Sequence, residues 1–547
     1  MIAAAALIAV GLSYGLVLLL RRYARPPADA SRVSVLGIYS PVLTRLKIAV
    51  PPSLQQARFS SLRSALQGNL GRILAIAVIG GWALWVGRNL LNFDPSIWPV
   101  GREFGIEVYA FHFWDLVRDC GLCGLWNGML NGGSPFLADP FTGHLHPLPA
   151  LATLLAGVVN GAKLTIVASF FLAGVGQWWI AKLMGVSRWG RLWTALVATS
   201  AAHLAGRVEL GSVSDPLSAS AATLALAGSL DLAMNRSRKA ALRFAVLLAL
   251  ALLAGRGYYQ VALLSWSPWV LALILTPHNR PDRVWREFVL AGVIALLLAS
   301  IFLVPFAHFW PQAAKSTDLA FEGSQPLEYV PLNLVVHDFD FYITSVLGKT
   351  PYPYLHTLFI GWPAVVLAVV GLALGLKRHR RLVVCLALGA VSMMWLASGV
   401  PFRWAALVVP DLAAVRHVAH IAGLAIPAIL ALAGYGLDRL LQLPWPRINL
   451  GLSREASGAS SISLAWLLAI PLLTSLRTAD RFDQNFIVMD DKQGVYQGIE
   501  ALETPSLEWV SVPFGEHYWV EPALAFGLKL TDVATPWWWE SAANPAP

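Results

Sequence analysis

The residues best suited to chemistry lie in one polar segment, residues 93–146, between two apolar stretches. Six carboxylates occur there: Asp94, Glu103, Glu107, Asp115, Asp119 and Asp139. A carboxylate can take a proton from a hydroxyl group or bind a polar ligand. The segment runs into LWNGMLNGGSPFLADPFTGHLHPL, residues 125–148. A long connection rich in acids, glycine, proline and aromatics indicates folded structure that carries function.

More charged side chains gather where the apolar runs begin or end. They are Arg207, Glu209, Asp215, Arg256, Arg403, Asp411, Arg416, His417 and His420. The interiors of the apolar runs are nearly free of charge, whereas ion-driven transporters usually carry ionisable residues at that depth. Polar chemistry at one interface therefore suits an enzyme that works on a lipid headgroup better than it suits a conduit.

The composition is that of a polytopic membrane protein, with 57% hydrophobic residues, 13% charged residues and 23 Trp. Many apolar runs are long enough to cross a hydrocarbon core about 30 Å thick. We predict an all-α transmembrane bundle with twelve spans near residues 2–20, 73–91, 163–182, 191–206, 216–234, 240–254, 257–276, 287–307, 356–376, 382–399, 417–436 and 461–476. The shorter run 147–160 is expected to lie at the interface or to re-enter.

The distribution of charge orients this bundle, because cytoplasmic loops are enriched in Lys and Arg. Residues 21–72 contain nine basic side chains and one acidic one. Loops 93–146 and 308–355 and the tail 477–547 have more acids than bases. We therefore expect the 21–72 linker to be cytoplasmic and the other three segments, with both termini, to lie outside.

Three parts of the chain follow from this interpretation. Residues 1–72 form an uncleaved N-terminal anchor helix and a basic cytoplasmic linker. Residues 73–476 form the transmembrane bundle with its large first outer loop, and residues 477–547 form an acidic tail on the outer face. The net charge of +9 is explained by cytoplasmic loops that meet anionic membrane lipids, and nothing indicates nucleic-acid binding.

Other motifs are weak or missing. Cys120 and Cys123 form a CGLC sequence in which a disulfide is possible, and the third cysteine, Cys385, lies in an apolar run. The sequence contains no dinucleotide-binding fingerprint, no phosphate-cradling Gly-Lys loop and no zinc-ligand spacing. It assigns no metal ligands, and assistance from a divalent metal stays open.

One run resembles a known family. WNGMLNGGSPFLADP, followed by PL, resembles the "lWNP…gG.P..a.p…yPL" signature of bacterial YfhO-like membrane proteins, within the superfamily of GT-C glycosyltransferases. Two weaker similarities are the runs GRVELGSVSDPLSASAATLALA and VRHVAHIAGLAIPAILALAGYGLDRL. Together they extend over roughly residues 73–440. The resemblance implies a GT-C-like bundle in the cytoplasmic (inner) membrane of a bacterium, active at the cell envelope on its outer face.

The resemblance also implies a polyprenyl-phosphate-linked sugar donor, an acceptor on the outer face and an acidic base in the first outer loop. In the family that acid is usually Asp, but the matching position in GIEVYAFHFW is Glu107. Asp139 is the second choice. Phosphate binding is expected from Arg416 and Arg403, and sugar contact or help with a metal from His144 and His146. Membrane lipids are expected partners, and protein partners are unknown.

Simpler interpretations stay open for every one of these residues. Glu107 could be a solvated charge or pair with Arg102, Asp139 could cap a turn, the histidines could be structural and the arginines could be interfacial anchors. At the level of the whole chain, the alternatives are a non-catalytic scaffold or assembly subunit with a glycosyltransferase-like fold, and a lipid or polysaccharide flippase.

Overall fold

A computed structural model of the chain describes most residues from Leu70 onwards. The described ranges are 70–129, 133–275, 281–315, 324–343, 353–410, 417–443, 447–449, 461–463, 467–501, 509–511, 519–531 and 537–539. The predicted anchor helix 2–20, nearly all of the basic linker and Arg416 lie outside them. The chain divides into two units after Gly80, and the description below concerns residues 81–547 apart from the first helix, which begins before that point.

Helices dominate, as the apolar runs predict. The first ten are α1 (Leu70–Val86), α2 (Phe104–Val108), α3 (His112–Cys120), α4 (Pro147–Ala156), α5 (Val158–Leu183), α6 (Arg188–Thr199), α7 (Ala202–Leu210), α8 (Ser214–Asn235), α9 (Arg238–Leu253) and α10 (Tyr258–Leu275). The next ten are α11 (Pro281–Leu298), α12 (Ser300–Phe309), α13 (Phe339–Ile343), α14 (Trp362–Arg378), α15 (Arg380–Ala397), α16 (Val400–Ala406), α17 (Ile426–Leu441), α18 (Ala469–Gln484), α19 (Gln493–Glu500) and α20 (Val520–Ala525). A 3₁₀ helix, Val418–Ala425, leads directly into α17.

Five helices of the described chain are long and apolar enough to cross a membrane: α5, α8, α10, α15 and the continuous stretch Val418–Leu441. A sixth is added if α11 and α12, bent by 70° at their junction, form one broken span. The chain is thus a multi-pass membrane protein. Most spans predicted from residue 73 onwards coincide with helices, but 461–476 begins in strand β6, and 191–206 is divided between α6 and α7. Several helices, such as α9 with 16 residues and α6 with 12, fall short of the roughly 20 residues that a full crossing needs. The count of twelve stays a prediction.

The short apolar run after the first loop forms α4, which has ten residues and ends at Gly157 in a positive-φ conformation. At 1.5 Å per residue such a helix is about 15 Å long, half of the hydrocarbon thickness. The chain then turns back into α5, and the two helices touch closely: a Cβ on Gly161 would lie 2.6 Å from the Cα of Thr153. This length fits a helix that does not cross the membrane by itself.

Glycines also let the central helices α14 and α17 touch backbone to backbone. A Cβ on Gly371 would lie 1.9 Å from the carbonyl oxygen of Leu432, and a Cβ on Gly436 would lie 2.0 Å from that of Leu367. Membrane helices without water to drive them together associate through such small residues. The α14–α17 pair forms the tightest packing of the bundle interior because neither contact tolerates a side chain.

The strands are short and come in pairs. They are β1 (Ile97–Pro99), β2 (Trp126–Asn127), β3 (Ser134–Pro135), β4 (Ala313–Lys315), β5 (Arg447–Asn449), β6 (Ser461–Ser463), β7 (Met489–Asp491), β8 (Trp509–Ser511), β9 (Lys529–Thr531) and β10 (Trp537–Trp539). Pairs β1–β7, β2–β3, β4–β10 and β5–β6 are antiparallel, and β8–β9 is parallel.

The C-terminal tail packs on the first polar loop. Strand β7 pairs with β1, and the backbone N–H of Leu530 donates to the carbonyl of Met129 at 2.7 Å. A buried apolar cluster joins Ile106 of α2 to residues of α19, α20 and the following strand: Ile499, Val520, Ala523, Leu524, Leu528 and Leu530. The tail therefore fixes the position of α2, which carries Glu107.

Candidate functional site

Glycine contacts fix the first loop at the end of α7. A Cβ on Gly101 would lie 2.0 Å from the backbone nitrogen of Gly211, which itself has φ +91°. The backbone N–H of Glu103 donates to the carbonyl of Leu210 at 3.0 Å. Because these backbones are in direct contact, α2 lies beside the beginning of α8.

Glu107 is fully buried at this junction. Its Oε2 accepts hydrogen bonds from the backbone N–H groups of Val213 and Ser214, both at 2.9 Å, and from the Ser214 hydroxyl at 2.8 Å. Its Oε1 forms an ion pair with Arg256. A carboxylate at the first N–H groups of a helix satisfies donors that have no partner within the helix and matches the positive end of the helix dipole. Glu107 thus caps α8.

Arg256 connects the carboxylates of this region. Its guanidinium is paired with Glu103 at 2.7 Å, with Glu107, and with Asp215 at 3.6 Å, and its side chain is only 4% exposed. It also donates to the hydroxyls of Ser212 and Ser214. We call these six residues (Glu103, Glu107, Ser212, Ser214, Asp215 and Arg256) the Arg256 network.

The backbone at Arg256 adopts the left-handed conformation, with φ +64° between Gly255 at +81° and Gly257 at +75°. This conformation is uncommon for a residue with a side chain and often marks a functional position. It places the Arg256 N–H 2.9 Å from the carbonyl of Pro140 and the guanidinium 3.8 Å from the centroid of the Phe141 ring. Arg256 therefore joins the Glu107 region to the end of the first loop.

That end of the loop is organised by Asp139. Its Oδ1 accepts from the backbone N–H of Phe141 at 2.7 Å, and its Oδ2 accepts from the Tyr109 hydroxyl at 2.7 Å and the Thr142 hydroxyl at 3.2 Å. Burial raises the pKa of this carboxyl, and the hydrogen bonds oppose that effect. Asp139 thus holds the turn, as a turn-capping residue does, and is at the same time a buried acid.

The two histidines after this turn have different surroundings. His146 accepts through Nδ1 from the backbone N–H of Leu148 at 3.1 Å and so caps α4. His144 has Nδ1 3.0 Å from the Thr142 hydroxyl, while its Nε2 is buried without a partner in the described chain. Burial lowers the pKa of His146 to about 4 and that of His144 to about 3. Both rings are therefore neutral at ordinary pH.

A small cavity opens beside Asp139 and His144. Its other side chains are apolar, Leu145, Leu252, Leu253 and Phe302, and the backbones of Gly143 and Gly255 complete the wall. The free space admits about one water-sized molecule. Glu107 is not among the residues that line this cavity, because Arg256, Ser214 and the first turn of α8 enclose its carboxylate.

A second polar region lies on the other side of Asp215. Its Oδ1 is 3.2 Å from Nδ1 of His420, whose ring stacks on Tyr258 with centroids 4.6 Å apart. Three apolar helical stretches begin here, at Ser214, Tyr258 and Val418. The first N–H groups of a helix form a positive environment that favours anions.

Arg207 adds a buried cation to this region. Its side chain is fully buried, and Nη1 donates to the carbonyl of Tyr354 at 3.4 Å. Within the described residues, Nε and Nη2 have no hydrogen-bond partner. The guanidinium of Arg207 lies near the carboxyl of Asp215 and the hydroxyl of Tyr259. Arginine nitrogens with free donors suit a phosphate oxygen.

The structure brings some of the predicted site residues together and leaves others apart. Arg256 pairs with Glu107, in the place expected for Arg102, and its backbone N–H donates to the carbonyl of Pro140, the residue after Asp139. Arg403, on α16, is exposed and belongs to neither polar region. Arg416 lies outside the described residues, so its expected phosphate contact stays a prediction.

Sequence reasoning named Arg207 and Arg256 only as charges at the ends of apolar runs and assigned no site role to them or to Thr142, although the structure makes all three central. The signal for the first two was present, because both stand at the boundary of an apolar run, where a charge is costly unless it is paired. Thr142 had no such signal. Its role depends on the turn that brings its hydroxyl between Asp139 and His144.

Cys120 is disulfide-bonded and Cys385 is a free, buried thiol. Within the parts of the chain that the structure describes, no group of three or more His, Cys, Asp or Glu side chains is arranged to hold a metal ion. No described residue is therefore assigned as a ligand of a divalent metal.

No protein-family model matches this chain, and no curated protein sequence matches it. Several solved structures are similar. Two classes of one mutant of the arabinofuranosyltransferase AftD from Mycobacteria align over 83% of this chain and 32% of theirs, with a TM-score of 0.48 and 17% and 16% sequence identity. ArnT from Cupriavidus metallidurans, bound to undecaprenyl phosphate, aligns over 85% of this chain and 86% of its own, with a TM-score of 0.48 and 15% identity. This chain spans about a third of the AftD chain that it matches.

Proposed function

We propose that this chain is a membrane glycosyltransferase that moves a sugar from a polyprenyl-phosphate-linked donor to an acceptor on the outer face of a bacterial cytoplasmic membrane. One observation carries the proposal. At the starting ends of apolar helices, the buried Glu107 of the first polar loop is paired with Arg256, and Asp215 of α8 lies near both Arg256 and the buried Arg207. Transfer from a lipid phosphate needs both kinds of group in one place, a base for the acceptor and positive charge for the phosphate.

Asp139 has the surroundings that suit the base. It borders the cavity, and burial raises the pKa of its carboxyl, which strengthens its hold on a proton. Glu107 stays in the proposed catalytic set, but its carboxylate already accepts from four donors, which favours a structural role over that of the base. It holds Arg256 and the start of α8 in place. We therefore exchange the expected roles of the two acids.

The departing phosphate needs cationic contacts. Arg207, with free nitrogens near three helix starts, is the described residue best placed for this. Arg416 stays a proposed phosphate ligand, since residues 417–420 beside it already border the second polar region. Arg403 stays a weaker one because its side chain is exposed. His146 is proposed only as a neighbour of the sugar, since its Nδ1 is used in capping α4.

The topology that we propose has twelve spans, with loops 93–146 and 308–355 and the tail 477–547 outside. The acid excess of these segments supports it. The contact between the tail and the first loop is a further support, because β1 and β7 pair directly and must lie on one side of the membrane.

A non-catalytic scaffold or assembly subunit is the second candidate. The observation in its favour is Glu107, whose two oxygens are both engaged, so that the acid at the family's usual catalytic position serves the structure. A flippase has less support, because it needs a polar path through the bundle, whereas the charged groups described above lie at the ends of the apolar helices.

The test is donor consumption by the full chain in proteoliposomes. The proteoliposomes receive a panel of radiolabelled hexoses and pentoses linked to undecaprenyl phosphate. A bacterial lipid extract without outer-membrane lipids supplies the acceptor, and the release of undecaprenyl phosphate is measured. Wild-type protein should consume one donor, and Asp139→Asn should lower that rate by about 10²-fold, the scale of a lost general base. Asp119→Asn, an exposed acid of the same loop, is the control. Folded wild-type protein that consumes no donor of the panel favours the scaffold.

A further inference from the structure

Three side chains at the end of the first loop form a continuous hydrogen-bonded chain. The Thr142 hydroxyl lies 3.2 Å from Oδ2 of Asp139 and 3.0 Å from Nδ1 of His144. All three residues are buried. The chain begins at a carboxylate and ends at the imidazole of His144, a residue that lines the cavity and whose Nε2 is buried.

The single proton of the Thr142 hydroxyl decides the direction of this chain. An ionised carboxylate can only accept hydrogen bonds, so the hydroxyl donates to Asp139. The hydroxyl oxygen must then accept from His144, which requires the proton on Nδ1 of the imidazole. In a neutral ring with Nδ1–H, Nε2 carries a lone pair and is an acceptor.

The surroundings keep this lone pair available. Nε2 of His144 is buried and has no partner among the described residues. The ring is held edge-on by Phe113, with centroids 5.3 Å apart, and lies against Phe136 at 6.0 Å. The backbone carbonyl of His144 accepts from Nε1 of Trp114 at 2.8 Å. A buried acceptor without a partner costs about 1–3 kcal/mol, so a ligand that donates to it gains correspondingly.

We propose that His144 accepts, through Nε2, the proton of an O–H group that enters this cavity, and that Thr142 passes a proton on to Asp139. The proposal rests on the proposed function and deepens it by naming the residue that contacts the acceptor.

The proton transfers balance. As the O–H bond of the acceptor breaks, its proton joins Nε2, the Nδ1 proton of His144 moves to the Thr142 oxygen, and the Thr142 proton moves to Oδ2 of Asp139. The net change is one proton from the acceptor to Asp139. The electron pair of the broken O–H bond forms the new bond to the sugar carbon, and the phosphate leaves with the pair of the old one.

The O–H group has two possible sources, an acceptor hydroxyl or a water molecule. The free space beside His144 admits about one water-sized group, so a water molecule fits inside it, whereas an acceptor can place only its hydroxyl there. The products separate them: an acceptor hydroxyl gives a glycosylated acceptor, and water gives free sugar.

The first experiment measures the tautomer of His144 and needs no substrate. Full-length protein with ¹³C,¹⁵N-labelled histidine in lipid bilayers is compared with His144→Gln by solid-state NMR, so that the difference spectrum reports His144 alone. We expect an Nδ1–H neutral ring in the wild type. We expect Thr142→Val, which keeps the shape and removes the hydroxyl, to abolish that preference. An Nε2–H ring in the wild type overturns the proposal.

The second experiment uses the donor panel described above. Thr142→Val and His144→Gln should lower kcat by roughly 10- to 100-fold with KM for the donor little changed, because the chain acts on the acceptor proton. Thr142→Ser should recover most of the rate. The matched control is Thr153→Val, since Thr153 is a buried threonine of α4 whose hydroxyl has no partner in the described chain.

The two experiments separate the possible failures. Full activity of Thr142→Val and His144→Gln overturns the proton route while leaving the proposed function standing. A wild-type protein that consumes no donor overturns the proposed function and the proton route with it, whatever tautomer the NMR finds.

Discussion

Glu107→Gln tests how the first loop is held to the bundle. The two carboxylate oxygens have different partners: three donors meet Oε2, and Arg256 meets Oε1. An amide has one oxygen. If this oxygen takes the position of Oε2, the NH₂ group faces the guanidinium of Arg256, donor against donor. Arg256 then loses one of its two fully buried acidic partners, since only Asp215 is equally buried.

The size of the effect follows from burial. The side chains of Glu107 and Arg256 are 0% and 4% exposed, and removing one partner of a buried pair costs about 3–5 kcal/mol because the other charge stays behind uncompensated. Glu103 and Asp215 still pair with Arg256, so we expect the lower end of that range, about 3 kcal/mol. The variant should therefore be less stable, whereas the catalytic role expected from the sequence required only a loss of transfer.

The assay is equilibrium unfolding in nanodiscs, with tryptophan fluorescence as the signal, on Glu107→Gln, Arg256→Met and the double variant. If the pair is coupled, the double variant should lose about 0.5–3 kcal/mol less than the sum of the single variants. The exposed Asp119→Asn should unfold as the wild type does. A Glu107→Gln protein with wild-type stability would refute the capping role and return Glu107 to consideration as the base.

Three further predictions concern other parts of the chain. Glu521 is buried in the tail, and burial raises the pKa of its carboxyl to about 7. Because the folded tail holds this proton more tightly than the unfolded chain, its free energy of unfolding should rise by roughly 3 kcal/mol as pH falls from 8 to 4.5. Unfolding followed at α20 should show this rise, and Glu521→Gln should remove the pH dependence. Gly436→Ala places a Cβ against the carbonyl of Leu367 and should lower the free energy of unfolding by about 1–3 kcal/mol or more. The measurement is the unfolding temperature, which should fall. An unchanged temperature contradicts the α14–α17 contact. A membrane-impermeant thiol reagent applied to intact cells should label a cysteine at residue 340 and spare one at residue 45, and the opposite result would invert the proposed topology.

The helices were predictable because their signal is local. A continuous apolar run needs no tertiary information to be recognised, and most runs predicted from residue 73 onwards are helical; the run 461–476 is an exception, since it begins in strand β6. Which of the helices cross the membrane was harder to predict from the sequence. The bend of 70° between α11 and α12 and the end of α4 at Gly157 are set by turns and packing that hydropathy does not record.

The sequence indicated which charged residues gather in the polar regions, but not which of them contact one another. The acids of the first loop and the charges at helix ends were recognised as the polar chemistry of the molecule. Which cation pairs with Glu107 depends on where the loop of Pro140 approaches Gly255, residues more than a hundred positions apart. A Cβ on Gly255 would lie 2.7 Å from the carbonyl oxygen of Phe141, and no pattern along the sequence announces that contact.

The pairing of the tail with the first loop has a consequence for biogenesis. Strand β1 is made early and its partner β7 almost four hundred residues later, and the apolar cover of Ile106 comes from residues up to 530. Contacts between such distant parts of a chain form late. The region around Glu107 is therefore assembled only after β7 and the residues up to 530 have been made. A chain that stops before β7 should insert its helices and still leave the Glu107 region uncovered, because β7 and the apolar cover of Ile106 are then missing.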